Sequence, residues 1–267
     1  KQMYDLWVDF KCSRVNYWYS LYRKAFDEGL AEAKGKYPEH MKPILMTCIQ
    51  SEIAPRDGGK QTARTIRESN FADYSELNKY CDLIEMMLYT YQGVPQSAKP
   101  ARAMELYNRY LGRNNTVPIL LAGGYGTEVM PENKVMLKYQ VLECLMEKPK
   151  IIVFYAGATL FNAPTLAPVT EAIRIARPYE EFFVEGQRYT AAKCSAPYVL
   201  TRGLKLGGKV LLYAGNYTHP ADKAVTITLP GSVKSVLDCE SNQEIPVNDS
   251  AFDLDFQSSR GRMFLVQ

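Results

Sequence analysis

The chain has 267 residues, 46% of them hydrophobic and 23% charged, with a formal net charge of +3. That length allows one large domain or two ordinary ones, and the composition excludes an intrinsically disordered chain. Lys and Arg are dispersed, which excludes a phosphate-tracking surface, and no apolar run approaches the ~18 residues of a membrane span.

Residues 5–35 carry a helical pattern in which Leu6, Phe10, Val15, Trp18, Leu21, Tyr22, Ala25 and Leu30 recur at three- and four-residue steps. Gly35 and Pro38 end it. At this spacing the aromatic residues read as core. Residues 43–50 follow as a buried strand that opens into a loop, 51–60, holding Glu52, Asp57, Gly58 and Gly59. A short helix (70–80), a strand (81–90) and a helix (100–111) come next. Pro100 sits near the first turn of the last of these, where a missing N–H costs least.

Residues 117–127 form the centre of the pattern. Ile119 to Ala122 is uninterruptedly apolar, as a parallel strand covered by helices on its sheet faces requires. Gly123, Gly124 and Gly126 then open the backbone around Tyr125, with Glu128 following. A helix (131–147), a fourth strand (151–155) and a last helix (166–183) complete four strand-then-helix units. Such alternation specifies a parallel sheet with right-handed crossovers.

From about residue 187 the pattern changes to short β-rich runs separated by turns such as Gly207-Gly208, Pro230-Gly231 and Asn248-Asp249. This predicts an antiparallel β-sandwich of about 80 residues. The expected domains are 1–186 and 187–267, with the boundary within 184–193.

Six cysteines (12, 48, 81, 144, 194 and 239) are widely spaced, and there are two histidines. No C-x-x-C pair occurs, so a zinc site is not expected and the thiols read as free. The glycines at 123–126 match neither G-x-G-x-x-G nor a Walker loop, and no nucleophile elbow is present. No cofactor is expected, and neither nucleic acid nor membrane is expected as a partner. The compartment is not readable, although a secreted or periplasmic location is favoured.

The order of elements — a long aromatic-rich helix, four βα units, a small sandwich — resembles the C-terminal half of a glycoside hydrolase (β/α)8 barrel with its accessory sandwich. The residues that carry the likeness are Lys209 to Tyr217, Val225 to Pro230 and Arg262 to Val266 in the tail. Residues 5–38 and 43–50 look like the fourth helix and fifth strand of β-galactosidase-like, clan A barrels. The resemblance implies α/β plus all-β architecture, in which the four strands are the fifth to eighth of a barrel. It implies a carbohydrate substrate or ligand and hydrolysis of O-glycosidic bonds, of the retaining type, at the C-terminal strand ends.

A half-barrel leaves open strand edges. Pairing with an N-terminal half of the barrel, or self-association, is therefore expected, the chain being read as a piece of a larger polypeptide. In the family the acid follows the fourth strand, which would precede Lys1, and the nucleophile ends the seventh. There this chain has Gly123 and Gly124, so the nearest acid, Glu128, is the candidate nucleophile and Glu52 the runner-up. Substrate-binding candidates are Gln50, Glu85, Tyr91, Gln92, Tyr125 and Tyr155. Amides would meet hydroxyls and rings the apolar face of a pyranose. Glu85, inside a strand, is either an interior group facing the site or half of an ion pair with an outer helix. A non-catalytic carbohydrate-binding or scaffolding protein on the same fold is the alternative function.

Overall fold

The computed structural model describes residues 1–36, 38, 43–49, 67–68, 71–88, 99–111, 115–122, 131–155, 163–216, 224–256 and 260–267. The fold comprises two compact units. The first holds Lys1–Leu88, Arg102–Ile119 and Pro149–Val153; the second holds Tyr89–Ala101, Leu120–Lys148 and Phe154–Gln267.

Helix α1 spans Gln2–Glu32 in the first unit. Its buried stripe runs through Val8 and Cys12 and on to Tyr19, whose hydroxyl hydrogen-bonds the Thr47 hydroxyl of strand β1, Met46–Ile49. Arg23, one turn further, reaches the Asp82 carboxylate at 3.1 Å. The same carboxylate accepts the Leu45 N–H at 2.9 Å, while the Asp82 N–H donates to the Leu45 carbonyl at 2.8 Å. One aspartate thus ties the helix to the starts of two strands. Several of the residues in the expected helical pattern lie elsewhere: Leu6, Phe10, Trp18 and Tyr22 are exposed. Two apolar stripes run along α1, and the sheet takes the less aromatic one.

The short helix α2 (Tyr74–Leu77) leads into β2 (Leu83–Met87), and helix α3 (Lys99–Leu111) leads into β3 (Thr116–Leu121). Helix α4 (Pro131–Leu145) leads into β4 (Val153–Tyr155), and helix α5 (Ala163–Ala176) follows. The four strands form one sheet in the order β1-β2-β3-β4. Both β1–β2 and β2–β3 are parallel, with Cys48 beside Glu85 and Glu85 beside Val117. Between β3 and β4, the Ala122 N–H donates to the Tyr155 carbonyl at 2.9 Å. All of β3 is buried, as its unbroken apolar run requires.

After α5 a 3-10 turn (Arg177–Tyr179) and helix α6 (Glu180–Val184) lead into the β-rich tail. Its strands are β5 (Gln187–Tyr189), β6 (Lys193–Cys194), β7 (Leu200–Leu206), β8 (Lys209–Gly215), β9 (Val225–Thr228) and β10 (Val236–Asp238). The last four are β11 (Glu244–Ile245), β12 (Val247–Asn248), β13 (Ala251–Leu254) and β14 (Gly261–Val266). They form two antiparallel sheets, β11-β10-β14-β8-β7-β5 and β12-β13-β9-β6. Gly207 and Gly208 both have positive φ, 53° and 83°. That is the two-residue turn whose twist matches the β7–β8 hairpin.

The two sheets share a core. Leu212 and Ala214 of β8 and Phe264 of β14 meet Ile227 of β9 and Phe252 and Leu254 of β13. The Phe252 and Phe264 rings pack edge to face at 5.4 Å. At roughly 25 cal/mol per Å² of apolar surface, side chains of this size each contribute about 1.5–3 kcal/mol on burial. Helix α4 packs on β8 and β14, where the Tyr213 hydroxyl donates to the Tyr139 carbonyl at 3.2 Å. Past the end of α4, the Glu147 carboxylate, 4% exposed, pairs with Arg202 of β7 at 2.7 Å and Arg188 of β5 at 3.2 Å.

Candidate functional site

Register divides the parallel sheet into two faces. Residues beside one another in a sheet point the same way, and neighbours along a strand point opposite ways. Thr47, Ile84 and Thr116 form one row. Thr47 meets Tyr19 of α1, and the Thr116 hydroxyl donates to the Asn108 side-chain oxygen of α3 at 2.7 Å. This is the helix-covered face. The next row, Cys48, Glu85 and Val117, therefore faces away from the helices. The register places Glu85 on this face, beside Cys48 of β1.

Burial grades along that row. Val117 is fully buried, Glu85 half-buried and Cys48 exposed. Cys48 and Glu85 are register partners on adjacent strands. Leu83, Met87 and Ile119 share the face by strand parity. Burial in these surroundings raises the pKa of Glu85, and the Cys48 thiol opposes the rise only in part. The Cys48 thiol is raised by burial first and by the Glu85 charge second. A carboxyl that keeps its proton to higher pH can donate to a hydroxyl or to a leaving oxygen, the role an acid plays beside a sugar.

Tyr155 ends β4 and is exposed. The sequence-predicted residues Gln50, Glu52, Tyr91, Gln92, Tyr125 and Glu128, and the glycines at 123–126, lie outside the described residues. Cys48 was not among the candidates. Its signal lay in the pairing of Met46–Ile49 with Leu83–Met87, which no single strand carries.

A second buried carboxylate has a structural part. Glu143 of α4, 0% exposed, accepts the Ala101 N–H at 2.8 Å. A carboxylate at the first turn of a helix meets the positive end of its dipole. Among the described residues no group of three His, Cys, Asp or Glu side chains is arranged to hold a metal ion. No described helix is long and apolar enough to cross a membrane.

No family model matches the chain, and no curated protein matches it. Among solved structures it is similar to α-galactosidase I from Mortierella vinacea, with 10% identity over 74% of this chain and 56% of that one, at a TM-score of 0.46. It is also similar to a GH30 endoxylanase from Clostridium papyrosolvens (12% identity, 93% and 70% covered, TM-score 0.45). A third is a GH27 β-L-arabinopyranosidase from Geobacillus stearothermophilus (9% identity, 75% and 62% covered, TM-score 0.39). The chain spans 56% of the length of the first of these.

Proposed function

We propose that this chain is part of a carbohydrate-active protein, a glycoside hydrolase that cleaves O-glycosidic bonds at the C-terminal ends of a parallel (β/α) barrel sheet. The observation that carries the reading is the two-faced sheet. One face is closed by helices, and the other bears a half-buried, proton-retaining carboxyl, Glu85, in an apolar row. In this reading four βα units make up residues 1–186 and an accessory sandwich makes up 187–267.

Glu128 and Glu52 are the candidate catalytic carboxylates, and Gln50, Tyr91, Gln92, Tyr125 and Tyr155 line the sugar. Glu85 binds a hydroxyl from below. An N-terminal half of the barrel, or a second copy, closes the open edges of β1 and β4.

The test is hydrolysis of a panel of aryl glycosides by wild type and by Glu128→Gln and Glu52→Gln. Loss of a catalytic carboxyl costs about 10²–10⁴-fold in rate. Unchanged hydrolysis by both variants would remove these residues from the catalytic role. Gly123 and Gly124, at the strand end where a nucleophile stands in such barrels, favour a second reading: a non-catalytic carbohydrate-binding protein. Binding on a glycan array without turnover, weakened by Glu85→Gln, is the outcome expected from it.

A further inference from the structure

Helix α1 has a second apolar face. At about 100° per residue, Met3, Leu6, Phe10, Tyr17 and Leu21 fall on one stripe. It lies roughly opposite the stripe of Val8, Cys12 and Tyr19 that meets the sheet side of the first unit. All five are exposed, Met3 by 82% and Leu6 and Phe10 by 59% each. An outer barrel helix ordinarily turns a polar back to water. On the flank between the two stripes, the Trp7 ring packs edge to face on Phe71 of the same unit at 4.8 Å, which leaves the Met3–Leu21 stripe uncovered among the described residues.

The stripe has the form of a helix-pairing seam. Met3, Phe10 and Tyr17 repeat at seven residues, with Leu6 and Leu21 at intervening steps, the spacing that packs one helix along another. It also matches its own reverse. In an antiparallel pair centred between Ser13 and Arg14, Leu6 stands opposite Leu21 of the other copy and Phe10 opposite its Tyr17. Ser13, a small residue whose hydroxyl folds back on the Phe10 carbonyl at 2.8 Å, lies at the crossing. The Arg14 guanidinium is drawn over the Tyr17 ring at 5.0 Å. Covering the five side chains on both copies withdraws on the order of 1,000 Å², the lower bound for a specific interface. A two-fold pair also opposes the helix dipoles and gives the commonest closed symmetry.

We infer that a second copy of this chain docks here, with α1 antiparallel to α1 across a two-fold axis near residues 13 and 14. The interface is separate from the open strand edges. The experiment is light scattering and sedimentation of the 267-residue chain at tens of micromolar, alongside Phe10→Glu, Tyr17→Glu and Ser13→Cys. The expected mass is twice 30.3 kDa. Either glutamate variant should fall to the single-chain mass with its circular dichroism and melting retained. Ser13→Cys should form an inter-copy disulfide under mild oxidation, beyond the wild-type background from the native thiols. A wild-type monomer overturns the proposal, because some other occupant then covers the stripe. So does a dimer that survives Phe10→Glu and fails to cross-link at residue 13, which would point to the strand edges instead.

Discussion

Glu85 makes a prediction through its proton. Burial raises its pKa, so the folded chain holds that proton to higher pH than the unfolded chain, whose carboxyl titrates near 4.5. Where the folded state binds more protons, stability falls as pH rises. Its loss therefore begins near the unfolded value and is complete once the raised pKa is passed. Glu85→Gln is neutral throughout and escapes that loss. Urea midpoints at pH 4 and pH 8 should show the variant gaining on wild type at the higher pH; an equal gap at both values would refute a desolvated Glu85. Gly261 makes a steric prediction. A Cβ there would overlap the Tyr213 phenol, which is fully buried and bonded to the Tyr139 carbonyl. The ring is hemmed in between α4 and the sheet, so Gly261→Ala should cost about 1–3 kcal/mol, as overpacking does. Tyr213→Phe loses only the hydroxyl and should cost about 1 kcal/mol. Denaturant titration of both variants orders the two effects.

At the scale of elements, Glu147 joins the end of α4 to β5 and β7. Its carboxylate is nearly inaccessible, Arg202 is 17% exposed and Arg188 is 44% exposed. Removing one partner of a buried pair leaves a charge without compensation, so Glu147→Ala should cost about 3–5 kcal/mol. Arg188→Ala, on the wet side, should cost at most about 1 kcal/mol, with Arg202→Ala between them. Chemical unfolding of the three variants would test that order, and equal losses would contradict it.

Elements of this kind differ in how legible they were. β3 was readable because a strand buried on both faces needs an unbroken apolar run, and residues 119–122 supply one. The Gly207-Gly208 hairpin was readable because its turn demands positive φ twice. β5 falls within the expected domain boundary, 184–193, and β6 at its end, and neither was expected as a strand. Gln-Arg-Tyr and Lys-Cys have no strand pattern, and only their pairing with β7 and β9 makes them strands. The aromatic stripe of α1 was readable as helical and not as exposed, because periodicity does not say which of two apolar stripes meets the sheet. The face of Glu85 was hidden for a related reason. Leu83–Met87 is apolar on both sides of the glutamate, so its direction emerges only from the register with Thr47 and Thr116. The candidate acids Glu52 and Glu128 lie outside the described residues.

For the whole molecule, the two compact units have separate cores. The first includes Ile84 and Met86 of β2 on the helix-covered face, with Val8 and Cys12 buried on α1. The core of the β-rich tail is built around Leu212, Phe264, Ile227 and Phe252. Separate cores imply separate openings, since exchange of amide hydrogens follows cooperative units rather than single bonds. Phe264 is fully buried and packs on Phe252, so Phe264→Ala should cost about 3–5 kcal/mol. That loss should appear as faster hydrogen exchange across β8, β9, β13 and β14, the strands whose side chains close the same core. Amides of β1 and β2 should keep their protection. Ile84→Ala, at about 2–5 kcal/mol, should do the converse, loosening β1 and β2 while the tail stays protected. Such reciprocity would identify the tail as an accessory module with stability of its own. Uniform loss of protection in both variants would instead mean that the two cores open as one.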